Sequence, residues 1–233
     1  MTTTFTALMI GNSRYHWATI VDGEIKRVWH CAHDEPLPQL ENPLIFASVV
    51  PIQSDRLKQS FPNAREITLS DIPLKNLYAT LGIDRALAMY GAGETSGYPC
   101  LVIDGGTALT LSGVDGDRRF VGGAILPGLR LQFQMLSQGT AALPKIDLPE
   151  QLPPRWAQDT QGAIASGILY TVKAGLKSFI DDWLTQYPES QLIITGGDGL
   201  QLKQFVQPSN LVKFNPDLVL EGFIALAKSS NKL

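Results

Sequence analysis

The chain has 233 residues, 44% of them hydrophobic and 18% charged, with a formal net charge of −3. That balance suits a globular protein of one large domain or two half-sized lobes, and without a Lys/Arg run it argues against nucleic-acid or membrane-surface binding. No apolar stretch reaches the roughly 18 residues that span a bilayer. The opening MTTTFTALMIGNSRYHW lacks the basic segment and small-residue site of a secretory leader, so a cytoplasmic location is expected. Cys31 and Cys100 stand in no CxxC or metal-ligand spacing, and His16, His30 and His33 have none either. Two buried free thiols and no histidine metal ligand are therefore expected.

The first half reads as strands broken by turns. Residues 6–10 and 16–21 are apolar-rich and joined through Gly11-Asn12-Ser13. Asp22-Gly23 is a hairpin signal, with 24–29 as the returning strand. Residues 44–50 form a continuous apolar run, the pattern of a buried strand, which Pro51 ends. Helical character follows over 54–61, then a short strand at 65–69 and a loop at 70–81. Residues 83–97 favour helix, with Asp84 near its start.

The second half begins in the same way. A strand at 100–103 is followed by Gly105-Gly106, a strand at 108–114, the Asp115-Gly116 turn and a strand at 120–126. Pro127-Gly128 breaks that strand before a helix to about residue 142, and 144–154 is a proline-rich loop. Thr160 is expected to cap a long helix over 161–187. Residues 191–195 read as a short buried strand ending in Gly196-Gly197, and a helix over 217–228 closes the chain. Trp17, Trp29, Trp156 and Trp183 read most simply as core or interface residues.

ALMIGNSRYHWATIVDG (7–23) can be set beside CLVIDGGTALTLSGVDG (100–116). Each has an apolar strand, a glycine-containing turn, a second strand and a Val-Asp-Gly turn. Gly11 matches Gly106, and the closing turns match after a slip of two residues. A repeat of about 95 residues that opens both halves suggests two related lobes, 1–98 and 99–233. The arrangement resembles the actin-like, ribonuclease-H-like kinases, an α/β fold whose two related lobes each hold a mixed β-sheet flanked by helices. There, two glycine-bearing hairpins hold the phosphates of ATP, because glycine lets backbone N–H groups approach phosphate oxygens and Ser/Thr hydroxyls add donors. No GxxxxGK[ST] occurs, which removes the P-loop alternative. GAGETSG (91–97) is no dinucleotide fingerprint, since its last glycine is one residue late and it precedes a strand.

GNSR (11–14), GIDR (82–85), DGGTALT (104–110), GGAILPG (122–128) and Asp159-Thr160 stand in that order, with LSQGTAALP (136–144) and TGGDG (195–199) alongside. In order and spacing they resemble, over nearly the whole chain, the motifs of type III pantothenate kinases. The resemblance implies ATP-dependent phosphorylation of pantothenate to 4′-phosphopantothenate, the first step of coenzyme A biosynthesis, by a homodimer.

Phosphorylating an alcohol needs a carboxylate to accept the hydroxyl proton, and an anionic substrate needs a cation. Asp84 and Arg85 place both groups side by side, although an Asp at a helix start with a surface Arg would look the same. The resemblance makes Asp84 the catalytic base and puts Gly82, Ile83, Asp84 and Arg85 at the pantothenate site. It adds Tyr78 and Thr160, the latter for the substrate carboxylate, although Tyr78 could simply pack and Thr160 simply cap. Asp104 reads either as a turn former or as a cation ligand. The family resemblance makes it the ligand of a monovalent cation, potassium or ammonium, with Thr107 on ATP. GGAILPG and TGGDG either border the nucleotide or turn strands into helices.

Met9, Ile10, Gly11, Asn12, Ser13 and Arg14 correspond to the family's first ATP-binding motif, which normally begins with an aspartate that helps handle ATP-bound magnesium. Here that position is Met9, just as Asp104 lies two residues before Gly106. The substitution could raise the ATP KM, shift magnesium to phosphates and water, or abolish turnover. An active kinase is the leading expectation. The alternatives are a catalytically impaired pantothenate-binding relative and an actin-like kinase for another small hydroxylated substrate.

Overall fold

The structure, a computed structural model, describes residues 3–206 and 212–229. It holds two compact units. One draws on Met1–Tyr98, Gly116–Phe120 and Asp217–Leu233, the other on Pro99–Asp115 and Val121–Pro216. The cut between residues 98 and 99 is thus crossed twice, since residues 116–120 and the closing helix group with the first unit.

The first unit contains a sheet ordered β3-β2-β1-β4-β5. Its strands are β1 (Thr4–Ile10), β2 (Tyr15–Val21), β3 (Glu24–Cys31), β4 (Leu44–Ser48) and β5 (Arg65–Glu66). Asp22 and Gly23 have φ of 52° and 75°, the left-handed pair that a tight hairpin needs. Pro51 starts a helix as well as ending a strand: α1 (Pro51–Ser60) has it in the first turn, where its fixed φ fits and its missing N–H is no loss. The expected strand at 65–69 shrinks to two residues, because Leu69–Asp71 turns into a 3-10 segment closed by a Thr68/Asp71 capping box.

The two faces of this sheet bury different partners. Leu8, Ile10, Tyr15, Trp17, Leu44 and Phe46 form a core with Leu57 of α1. Trp17 stacks on Trp29 and donates its Nε1–H to Cys31 Sγ at 3.1 Å; Cys31 is only half-buried, so one of the two thiols departs from expectation. On the other face lie α2 (Ile83–Ser96) and α6 (Leu218–Ser229), packed on each other. A Cβ on Gly91 would lie 2.5 Å from the Leu218 carbonyl oxygen, and one on Gly222 would run into the Leu87 carbonyl. The backbones of the two helices therefore touch. Gly97 ends α2 with φ 97°, so the glycines of GAGETSG serve packing and capping.

The second unit repeats this plan with β6 (Cys100–Gly105), β7 (Ala108–Val114), β8 (Phe120–Pro127), β9 (Gln191–Thr195) and β10 (Val212–Phe214). The order β10-β9-β6-β7-β8, read from β8, is again third, second, first, fourth, fifth. In both sheets the first strand runs antiparallel to the second and parallel to the fourth, and the fourth runs parallel to the fifth. Even isolated backbone bonds correspond. Val49 N–H donates to Ile10 O at 3.0 Å and Asp198 N–H to Gly105 O at 2.9 Å; Ile67 donates to Phe46 and Asn215 to Ile194. The two-residue slip in the sequence repeat is a loop-length difference: four residues, 11–14, link β1 to β2, and two, 106–107, link β6 to β7.

Helices α3 (Leu129–Gly139), α4 (Thr160–Gln186) and α5 (Gly199–Phe205) complete this unit. Ile164, Ile168, Val172, Leu176, Ile180 and Trp183 run down the buried side of α4 at helical spacing. The short α5 and β10 are elements that the apolar periodicity does not announce.

The helix contact at Gly222 gives a direct test. Gly222→Val forces a branched side chain against the Leu87 backbone and should cost about 1–3 kcal/mol of stability. Urea unfolding should show a lower midpoint with an unchanged slope.

Candidate active site

In the first unit, Asp84 lies in the first turn of α2, where the exposed N–H groups and the helix dipole favour an anion. Its Oδ1 accepts the Arg85 backbone N–H at 2.8 Å. Burial pushes the Asp84 carboxyl above its ordinary value, opposed by that N–H and by the Arg85 charge. Gly82 makes the placement possible, because a Cβ there would run into the Asp84 carboxylate. Arg85 is buried, and its Nη1 donates to the Tyr78 hydroxyl at 3.0 Å. Tyr78 is 43% exposed and tilts against Phe120, 5.8 Å away. The predicted residues Tyr78, Gly82, Ile83, Asp84 and Arg85 are thus brought together, with a carboxylate of raised basicity beside a guanidinium. A cavity of about 500 Å³ opens next to them, lined by Ser48, Ser54, Lys58, Thr80, Gly82 and Ile83.

The turn 11–14 closes through Gly11 N–H to Arg14 O at 3.1 Å. Asn12, Ser13 and Arg14 are exposed, whereas Met9 and Ile10 have buried side chains and can offer only backbone to a ligand. A Cβ on Gly11 would meet nothing closer than Arg14 O at 3.6 Å, and one on Gly106 nothing closer than 3.6 Å. The protein itself makes no demand for glycine at either turn, whereas a ligand pressed against the backbone would. His16 follows this turn on β2. Burial, with His30 and Arg14 nearby, holds it down at about 4, so its imidazole is neutral at neutral pH.

In the second unit, Asp104 is half-buried near the end of β6, opposite Thr110 on β7 and Thr195 on β9. The next turn is tied down by Gly128 N–H donating to Thr107 O at 2.9 Å. A Cβ on Gly128 would lie 2.6 Å from that same oxygen, so the last glycine of GGAILPG lets the start of α3 abut the 106–107 turn. TGGDG supplies Asp198, buried and accepting from Arg130 Nε at 3.0 Å, with its backbone N–H on Gly105. The Arg130–Asp198 pair has no short-range sequence signal, because its members are 68 residues apart.

Asp159, not Thr160, caps α4. Its φ/ψ of −139°/161° are extended, and its Oδ1 accepts the Gly162 N–H at 2.8 Å. The extended backbone falls at 159 and Thr160 is already helical, so the aspartate and not the following threonine takes the cap. Thr160 is left exposed in the first turn.

A family model described as type III pantothenate kinase matches residues 7–182. A type III pantothenate kinase from Synechocystis sp. is 44% identical over 229 residues, covering 94% of this chain and 88% of that protein. A solved structure of a conserved Baf family protein from Campylobacter jejuni has a TM-score of 0.74 at 22% identity, over 98% of this chain and all of that one (100%). The ROK hexokinase of Thermus thermophilus has a TM-score of 0.53 at 12% identity, over 98% and 100% of the two chains. The fold is the actin-like α/β fold with two mixed sheets flanked by helices.

Asp84 carries a thermodynamic signature. Its folded carboxyl titrates above the 3.8 of an ordinary aspartate, so between those values the folded chain binds more protons than the unfolded one. Stability therefore falls as pH rises through that window, and above it the ionised Asp84 burdens the fold. Asp84→Asn, which keeps the acceptor for Arg85 N–H, should raise Tm at pH 7–8 in scanning calorimetry. An unchanged or lower Tm would mark Asp84 as a structural residue.

Proposed function

This chain belongs to the type III pantothenate kinase family, and from that premise we propose how its residues move the γ-phosphate of ATP onto pantothenate. The reaction is the ATP-dependent phosphorylation of pantothenate to 4′-phosphopantothenate, which opens coenzyme A biosynthesis. The observation that carries the assignment of roles is Asp84, a carboxylate of raised basicity held over Gly82 beside Arg85.

Asp84 accepts the proton of the primary hydroxyl as that oxygen bonds to the γ-phosphorus, and ADP departs with the electrons of the broken P–O bond. Arg85 holds the substrate's negative end, with Tyr78 fixing the guanidinium and the backbone of Gly82 and Ile83 lining the site. Thr160 receives the substrate carboxylate. On the ATP side, the backbone of Met9, Ile10 and Gly11 with Asn12, Ser13, Arg14 and Thr107 meets the phosphates. The family's ATP carries a divalent cation, which neutralises charge on the β- and γ-phosphates. Among the described residues no group of three or more His, Cys, Asp or Glu is placed to hold a metal ion. That suits an ion held mainly by phosphate and water with few protein ligands.

Asp104, with the hydroxyl residues Thr110 and Thr195 opposite it, offers the oxygen donors that a monovalent cation prefers. We assign the potassium or ammonium ion to it. The chain is proposed to work as a homodimer in the cytoplasm. Val121 and Ile125 project from one face of β8 at 46% and 64% exposure, an apolar surface suited to a subunit contact. Among the described residues no helix is long and apolar enough to cross a membrane. The reading of a catalytically impaired relative is not favoured by the family match, which spans the motifs up to Thr160.

Two measurements check these roles. Purified protein with ATP, magnesium and potassium should phosphorylate pantothenate, more slowly without potassium. Asp84→Asn should lower kcat by about 10²-fold or more, and wild-type kcat/KM should fall on the acid side as Asp84 takes up its proton. A variant within tenfold of wild type would reject Asp84 as the base. Separately, Val121→Asp with Ile125→Asp should reduce the mass seen by light scattering to that of one 25.4 kDa chain.

A further inference from the structure

The first unit holds a constellation of side chains that none of the roles above uses. Met9 on β1 lies directly opposite His16 on β2, and His16 lies opposite His30 on β3. Direct cross-strand partners share a face, so all three side chains line the side of the sheet on which α6 packs. The two imidazole rings are 4.5 Å apart. His16 Nε2 is buried and has no hydrogen-bond partner, and Asp217 Oδ1 lies 3.6 Å from it. Asp217 sits immediately before α6, where its carbonyl accepts the Glu221 N–H at 3.0 Å. Its side chain keeps 32% exposure, so the carboxylate is reachable from outside.

At the matching register the second unit has Asp104 opposite Thr110, a carboxylate carried on the strand itself. The first unit has an apolar side chain on the strand and a carboxylate delivered to the same face from α6. We infer that Asp217, oriented by His16, supplies to the divalent cation of bound ATP the carboxylate oxygen that Met9 lacks.

The chemistry supports the substitution on three counts. A magnesium ion on nucleotide phosphates takes only one or two protein carboxylates and fills its remaining positions with phosphate oxygen and water. A single well-held Asp is therefore enough. Next, the 3.6 Å gap is only slightly longer than an N–H···O bond, so a small side-chain rotation closes it. His16 with its proton on Nε2 would then hold the carboxylate as an outer-shell partner holds a metal ligand. Finally, Arg14 lies two residues before His16 at the end of the same glycine turn, where it meets the phosphates that bring the cation. A purely structural pair that docks α6 would leave unexplained why the imidazole nitrogen is unpartnered and why the carboxylate stays open to solvent.

This inference rests on the ATP-dependent reading, so its test avoids turnover. Manganese replaces magnesium, and the affinity of Mn²⁺·ADP is measured by electron paramagnetic resonance and calorimetry without pantothenate. Asp217→Asn should weaken binding about tenfold. His16→Leu should act in the same direction, whereas His16→Gln, which keeps an N–H donor, should retain most of the affinity. Met9→Asp placed in the Asp217→Asn background should restore it. A loss below about fivefold in a folded Asp217→Asn protein overturns the inference. Should that variant fail to fold, Met9→Asp in the wild-type background decides. A gain below about fivefold supports Asp217 as the existing ligand, and a larger gain shows that the position is unfilled. Pantothenate phosphorylation by the unmodified protein tests the underlying reading separately.

Discussion

The contact of α2 with α6 at Gly91 and Gly222 is the constraint from which the first unit's chemistry follows. With no side chain between them, the two helix backbones lock at a fixed distance across one face of the sheet. Their starts are thereby fixed too. Helix α2 opens beside Ser48 and Val49 at the end of β4, and α6 opens beside His16, next to the corresponding end of β1. Helix α6 then runs to the far end of the sheet, where Lys228 meets Gly23. Two helix N-termini, carrying Asp84 and Asp217, are thus presented at one edge. Helix N-termini favour anions, so each carboxylate is partly compensated where it stands. A side chain at Gly222 would press on the Leu87 backbone and so strain the spacing on which both helix starts depend.

The second unit reaches a related end by a different route. Both sheets share strand order, strand direction and even single backbone bonds, so their first hairpins stand in equivalent places. Within that symmetry the chemistry diverges at one register: Asp104 is half-buried on β6, while Met9 is buried on β1. A strand position opposite His16 and under α6 is a costly place for an ionised carboxylate unless it is paired. A methionine fills that space without a desolvation cost, and its flexible side chain adapts to an irregular gap. Moving the acid to a helix start, where N–H groups and water remain available, keeps an oxygen near the glycine turn at lower cost to the fold.

Much of this was legible in the sequence because it rests on local rules. Asp22-Gly23 sets the hairpin, the continuous apolar run sets β4, and the hairpin repeat announces a second sheet with the first one's topology. What was not legible depended on competition or on distance. Pro51 reads as a stop, yet the same fixed φ makes it a good first residue for α1. Asp159 and Thr160 are both fair caps, and only the extended backbone at 159 decides between them. Short elements such as α5 and β10 have too few residues for a period to emerge, and they form because the fourth strand needs a neighbour. The pairs Arg130–Asp198 and His16–Asp217 join residues far apart in the chain, and no spacing rule reaches that far. The apolar pattern over 217–228 marks a helix, yet nothing in it says which sheet the helix returns to.

The position of Asp84 then makes physical sense as a compromise that the fold tolerates. In the proposed role Asp84 takes a proton from an alcohol, a task helped by a carboxyl lifted above its ordinary range, and burial supplies that lift here. Burial alone would tend to neutralise the group, and the Arg85 N–H and the guanidinium beside it oppose that by favouring the ionised form. Arg85 must be restrained as well, since a guanidinium free to fold onto Asp84 would suppress its basicity by direct pairing. The Tyr78 hydroxyl supplies that restraint, and Phe120 braces the tyrosine. Each member of GIDR thereby has a separate task, with Gly82 for clearance and Ile83 for anchoring in the core, while the proposed mechanism gives Asp84 the proton and Arg85 the substrate's charge. No single substitution within the motif is conservative, because each residue's task depends on the space or field its neighbour provides.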